Sequence, residues 1–276
     1  MNKEDLKIVR VPIPTPTLWP HTTTNSYLVG NEKETILIDA GYDQPETKAV
    51  LEQALIDHEL AQPKSIILTH FHKDHAPGVL QLTEWEATIF CHTNEKDDML
   101  HSISPLKTLK FLEDGDQISV ANHTIQILHC PGHTSGQLNL YIPATGILIA
   151  GDNFIEKGTS WIGTPDGNVS DYLQTLNRLK ELIISKIGPG HGDWLLNPYE
   201  HIDFVIGRRL QREEQIKSLL QEHGPLSAES LAQKIYQDHV HPSILEVAKR
   251  TTEAHLIKLE QDGLAFRTGS DYQLKD

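Results

Sequence analysis

The chain has 276 residues, 38% of them hydrophobic and 22% charged, enough for one large α/β domain with a small appendage or for two modest domains; a single small module and a disordered chain are excluded. Its 24 Lys and Arg against 38 Asp and Glu give a formal charge of −14, which repels a phosphate backbone unless the basic residues cluster, so nucleic acid is disfavoured as a partner. Cys91 and Cys130 stand 39 positions apart with no CxxC, which indicates neither a disulfide framework nor a cysteine-based zinc site and fits a reducing compartment.

Residues 1–5 lead into Pro12, Pro14 and Pro16 instead of an apolar stretch, and no apolar run approaches the roughly 18 residues that span a bilayer. A cytoplasmic protein without signal peptide or membrane segment is expected. Short apolar runs bounded by turn residues predict strands at Ser26 to Val29, Glu34 to Ile38, Ser65 to Leu68, Ala87 to Phe90, His123 to Leu128, Leu138 to Ile142 and Gly146 to Ala150. Helical periodicity marks Pro45 to Leu60 and Asp171 to Ile184, the latter through Tyr172, Leu173, Leu176, Leu179 and Ile183. Strands outnumber helices, and neither GxGxxG nor a Walker sequence is present, so a layered α/β protein with mixed sheets is predicted over a doubly wound one. After Gly192 the pattern turns helical at His201 to His223, Ala228 to Asp238 and Ile244 to Asp262, with breaks at Gly224-Pro225 and His241-Pro242. It closes in a hairpin, Gly263 to Leu274, turning at Gly269-Ser270-Asp271. Three helices followed by a hairpin is the order of a winged helix, dividing the chain into residues 1–206 and a winged-helix-like domain, residues 207–276.

The chemistry concentrates in Thr69-His70-Phe71-His72-Lys73-Asp74-His75, behind the strand at Ser65 to Leu68. In extended chain, residues two apart share a side, so His70 and His72 can meet one cation while a turn brings Asp74 and His75 toward a second. Further donors close other strand-like runs. His133 lies in Cys130-Pro131-Gly132-His133-Thr134-Ser135-Gly136, where Pro and Gly force a tight turn; Asp152 follows Ile147 to Gly151; His191 sits in Gly188-Pro189-Gly190-His191-Gly192. Loops leaving strand ends are where a rigid scaffold presents reactive groups. Imidazole and carboxylate donors without thiolate suit zinc first, and also manganese, iron or cobalt. His21, His92 and His101 lie in segments able to approach the site but read as ordinary surface or hydrogen-bonded residues. The remaining histidines, His239 and His241 included, have no ligand partner at useful spacing, and Cys130 reads as a small buried hydrophobe.

HxHxDH, PGHTxG, a strand ending in GD and GxGHG follow one another in this order. Thr24-Asn25-Ser26-Tyr27-Leu28-Val29, Ile36-Leu37-Ile38-Asp39-Ala40-Gly41 and Asp114-Gly115-Asp116 accompany them. On these motifs the chain resembles the metallo-β-lactamase-fold superfamily over roughly residues 6 to 206. The resemblance implies a four-layer αββα sandwich and two divalent metal ions, His70, His72 and His133 holding one, Asp74, His75 and His191 the other, and Asp152 bridging. It also implies a hydroxide shared by the two ions as nucleophile, with Asp74 serving both as ligand and as the acid/base group that handles its proton. Asp39 resembles the family's aspartate that accepts an imidazole N–H, a plain turn residue being the other reading. Asn25, Tyr27, Trp161 and Tyr172 fit core or surface packing as well as substrate contact.

Within the superfamily, Asp152 stands where the usual zinc β-lactamases carry cysteine, and the intact His72 departs from the flavodiiron branch. Persulfide dioxygenases share these histidines but use a single iron. Asn153 after Gly151-Asp152, where glyoxalase II enzymes carry threonine, argues against a glutathione thioester, as does a winged tail. That tail resembles the branch that holds β-lactamase-like protein 2 and fungal thioesterases releasing polyketides from a carrier protein, which implies a small ester, thioester or lactone as substrate. The alternatives are a single-strand endoribonuclease using the same centre and, from another class, a winged-helix regulator with a vestigial metal site. Residues 209–276 carry nine Lys and Arg against eleven Asp and Glu, a net −2, so the third helix of the tail offers no basic recognition surface. Seven intact donors argue against a vestigial site.

Overall fold

The computed structural model describes residues 6–16, 22–236 and 245–275. The opening residues, the helix ends expected at Asp238 and Ile244, the His241-Pro242 break, and His21, His239 and His241 lie outside them. Two compact units emerge: Met1–Cys130, Gly136–Gly158 and Leu182–Pro198 form the first, and Pro131–Ser135, Thr159–Glu181 and Tyr199–Asp276 the second.

The first unit is built on two mixed sheets. One takes β1 (Lys7–Pro14), β2 (Thr23–Gly30), β3 (Thr35–Ile38), β4 (Ser65–Ile67), β5 (Thr88–Cys91) and β6 (Lys110–Phe111) in sequence order. Its first three strands pair antiparallel and the rest parallel. The change follows the connections, since parallel neighbours need a crossover: α1 (Pro45–Asp57) links β3 to β4, a 3₁₀ helix at Pro77–Trp85 links β4 to β5, and α2 (Lys96–Ser102) precedes β6. The other sheet takes β7 (Gln117–Val120), β8 (His123–His129), β9 (Leu138–Ile142), β10 (Ile147–Ile155) and β11 (Lys186–His191) as successive neighbours, antiparallel up to β10 and parallel between β10 and β11.

Alternation along the strands assigns each face. Leu28, Leu37 and Ile66 turn to a core shared with Leu51 and Leu55 of α1 and with Trp85. Tyr27, Val29, Ile36, Ile38 and Ile67 turn the other way, onto Ile125, Ile127, Leu138, Leu140 and Ile149 of the second sheet. Each such aliphatic side chain contributes about 1.5–3 kcal/mol by leaving water. Helices, sheet and sheet are thus the layers of this unit.

Several strands exceed the sequence reading. β1 contains Pro12 and Pro14, and β11 contains Pro189, residues that suggest loops; both strands lie at sheet edges, where a missing N–H breaks no ladder. β10 runs on to Ile155, with its register against β11 shifting around Gly151, so Asp152 lies within the strand instead of after it.

The second unit holds α3 (Val169–Leu179), capped by Asn168 Oδ1, which accepts from Asp171 N–H at 3.1 Å. The periodicity predicted this helix to Ile184. It stops at Leu179, and Ile183 is 83% exposed, so the apolar repeat there is coincidental. α4 (Pro198–His223), β12 (Leu226–Ser227), α5 (Ala228–Tyr236), α6 (Leu245–Gln261), β13 (Ala265–Thr268) and β14 (Asp271–Leu274) follow. The three strands form one sheet in the order β12-β14-β13, and Ile216, Leu231, Ile235, Leu256, Leu259 and Tyr272 form the core. This is a winged helix, with a third strand the sequence did not reveal. The expected boundary at 206/207 falls inside α4. Among the described residues no helix is long and apolar enough to cross a membrane.

Candidate metal centre

β4 ends at Ile67, and the chain that follows carries His70, His72, Asp74 and His75 past the carboxyl end of the parallel strands, where side chains from neighbouring strand ends meet. In the first unit the donor atoms of His70, His75 and Asp152 lie within 4.8 Å of one another, and so do those of Asp74, His75 and His191. His75 Nε2 is 3.1 Å from Asp152 Oδ1, and His191 Nε2 is 3.2 Å from Asp74 Oδ2 and 3.4 Å from Asp152 Oδ1. The His72 ring packs edge-on to that of His70, centroids 4.6 Å apart. A Cβ at Gly190 would overlap Asp152 Oδ1, so only glycine lets β11 approach this carboxylate.

Hydrogen bonds orient the rings. His75 Nδ1–H donates to Asp39 Oδ2 at 2.8 Å, and His191 Nδ1–H to the Thr23 carbonyl at 2.9 Å. Thr69 Oγ1 spends its proton on Asp39 Oδ2 at 2.8 Å and therefore accepts from His70 Nδ1–H at 3.0 Å. One buried aspartate thus holds His75 directly and His70 through Thr69, while Thr69 N–H fixes its other oxygen at 2.7 Å. With each Nδ1 engaged, Nε2 is the nitrogen left to face a metal, which binds it in place of its proton. Asp39 is the imidazole-orienting aspartate that the resemblance implies. His133 belongs to the second unit, where its Nδ1–H donates to the Trp161 carbonyl at 2.7 Å, leaving its Nε2 in the same way.

On Asp74, His75, Asp152 and His191 burial opposes charge, and mutual attraction overrides it. Asp74 is pushed up by burial, but His75 and His191 hold it down at about 2. Asp152 is driven well below the carboxylate range by His191 and His75 despite its burial. His191 is lowered by burial yet raised to about 10 by Asp152 and Asp74, and His75 rises well above its ordinary value for the same reason. Two ionised, partly buried carboxylates drawing protons onto their imidazoles form an electrostatic well for positive charge. Imidazole and carboxylate donors gathered this closely, with their Nδ1 atoms occupied, fit divalent cations.

Other residues support the site from behind. Thr24 Oγ1 donates to Asp74 Oδ2 at 3.0 Å. Asn25 Nδ2 donates to the carbonyls of Pro189 and Gly192 at 2.9 and 2.8 Å, and Tyr27 OH to Pro189 at 2.8 Å, so both hold the His191 segment and neither needs a substrate to explain it. Tyr172 is fully buried, 5.4 Å beneath the Arg209 guanidinium. Glu95 escaped the sequence reading. Its buried carboxylate accepts Phe71 N–H at 3.0 Å, between two ligands, and Gly136 N–H at 2.7 Å, at the end of the PGH turn. Neither cysteine joins the site: both are buried, and burial, aided by Glu95, pushes the Cys91 thiol up to about 12. His92 stacks on His129 at 3.9 Å, and His101 is exposed.

Residues 19–191 match the family described as Metallo-beta-lactamase superfamily, and residues 227–273 match the Beta-lactamase associated winged helix domain. The chain belongs to the metallo-beta-lactamase superfamily, a metal-binding hydrolase carrying that winged helix. A Beta-lactamase-like protein 2 homolog of Caenorhabditis elegans is 26% identical over 220 residues, 78% of this chain and 71% of that protein. The Atrochrysone carboxyl ACP thioesterase dmxR1 of Cryptosporiopsis sp. (strain 8999) is 26% identical over 280 residues, 95% of this chain and 83% of that one. Among solved structures, metallo-beta-lactamase family protein TTHA1429 from Thermus thermophilus matches with a TM-score of 0.82 at 24% identity, over 97% of this chain and 98% of that one. The four-layer αββα fold is therefore shared. TTHA1623 in a di-iron-bound form matches with a TM-score of 0.54 at 28% identity, over 68% and 96% of the two chains.

Proposed function

We propose that the chain hydrolyses a small ester, thioester or lactone at a centre of two divalent ions, zinc by first preference. One observation carries the reading: the donors of His70, Asp74, His75, Asp152 and His191 gather within a single patch of the first unit. In this reading His70, His72 and His133 would hold one ion, Asp74, His75 and His191 the other, with Asp152 serving both; manganese, iron or cobalt would suit the same donors. When bound, such ions lower the pKa of water toward about 7 and polarise the scissile carbonyl.

The chain's own residues do the rest. Asp74 faces His191 Nε2 and is anchored by Thr24, which leaves a carboxylate fixed in position to accept the proton of the attacking water and pass it to the leaving thiolate or alkoxide. Asp39, through His75 and Thr69, keeps two imidazoles from turning as charge shifts. Relatives named as acyl carrier protein thioesterases support a thioester as the preferred ester class. Residues 1–206 are the hydrolase domain in this proposal and residues 207–276 the winged-helix-like domain; two buried thiols outside any disulfide agree with a cytoplasmic setting. Metal-replete protein assayed against thioesters, lactones, phosphodiesters and single-stranded RNA should turn over an acyl substrate, at a rate little changed by salt. RNA cleavage without acyl turnover would reverse the assignment.

A further inference from the structure

The second unit carries a cationic feature unrelated to the metal donors. On α4, Arg208, Gln211, Arg212 and Gln215 line a cavity of about 160 Å³ floored by Ile235 of α5. Arg208 and Arg212 are one helical turn apart, an arrangement of like charges that by itself destabilises a helix. Neither guanidinium has a carboxylate partner among the described residues. The nearby acids are committed elsewhere, Glu213 to Lys258 at 2.9 Å and Glu214 to Lys217 at 2.7 Å.

Instead the arginines are held by neutral groups. Arg208 Nη1 donates to Gln211 Oε1 at 2.8 Å and Arg212 Nη1 to Gln215 Oε1 at 2.7 Å, while Arg212 lies 4.3 Å over the Tyr236 ring. A third cation, Arg209, is buried on the same helix and bonded to the Ser160 carbonyl, and among the described residues no acid pairs with it. Burial and Arg208 together push the Arg212 guanidinium down, as expected of paired cations held without an anion. In a chain of net charge −14, two guanidinium forks steadied by amides and a ring, and without an acid partner among the described residues, are a prepared oxyanion seat.

We propose that this cavity binds the phosphate group of a small molecule. One fork saturates a carboxylate. Two forks a turn apart match a phosphate, which presents three or four oxygens and carries up to two charges.

The test is isothermal titration of metal-replete protein with inorganic phosphate, and separately with acetate. Phosphate should bind, acetate at least about 10-fold more weakly, and Arg208→Gln and Arg212→Gln should each weaken phosphate by about 10-fold or more, with metal content unchanged. Arg208 is exposed, so its variant folds whatever the loss of the Tyr236 contact does to Arg212→Gln. Phosphate binding that is absent, or equal in wild type and the Arg208→Gln protein, would overturn the site; acetate binding as tightly as phosphate would overturn the phosphate assignment.

Discussion

In the proposed reaction Asp74 holds a metal and manages a proton, and its surroundings suit one carboxylate to both tasks. Burial alone would neutralise it, but His75 and His191 keep it ionised down to about pH 2, so it stays an unprotonated carboxylate across the working range. Asp74→Asn preserves shape while removing the charge and the base; kcat on the best acyl substrate should fall by at least about 10²-fold. Near-full activity with metal content retained would show that the proton travels by another group. The histidines and aspartates of the centre were legible because their signal is local: HxHxDH places four donors in six residues. Glu95 was not, because it acts on backbone N–H groups 24 and 41 positions away, and no side-chain pattern records such a contact. Glu95→Ala leaves one buried and one partly buried donor without an acceptor and should cost about 2–5 kcal/mol in urea unfolding, with Glu95→Gln costing less because one acceptor remains. Equal stability of wild type and Glu95→Ala would deny it this role.

At the scale of elements, strands with alternating, Gly- and Pro-free sequences such as β9 were readable to the residue. Edge strands β1 and β11 were not, because their prolines are tolerated only where the sheet ends, a fact of topology. α3 ran short of its periodicity for the converse reason, that an exposed Ile183 mimics a core position. α6 carries a different consequence. His255 is fully buried, its two ring nitrogens have no hydrogen-bond partner among the described residues, and burial together with Arg209, Arg212 and Lys258 drops its pKa to about 3. The folded pKa lies below the unfolded value of about 6.5, so the unfolded chain binds the extra proton. The stability involved is complete above about pH 6.5 and is lost as pH falls toward 3. Melting temperature should therefore drop between pH 7.5 and 4.5, and His255→Leu should flatten that slope. An unchanged slope in the variant would assign the acid sensitivity to other groups.

For the whole molecule, the −14 charge and the αββα-plus-winged-helix architecture were both readable from composition and motif order, and the match to two families over residues 19–191 and 227–273 agrees with that reading. The split proposed at 206 lies inside the long helix α4, where it was expected inside or just before that helix, and segments 131–135 and 159–181 group with the second unit. A contiguous sequence split has no means of expressing that exchange. Hydrolysis at a dinuclear centre requires that the electrostatic well built by Asp74, Asp152 and their imidazoles seat two cations. Elemental analysis of purified, metal-reconstituted protein, read beside its thioesterase rate before and after chelation, tests this most directly. The expected result is close to two divalent ions per chain, with hydrolysis abolished by chelator and restored by metal; one ion per chain under saturating metal, with full activity, would contradict it.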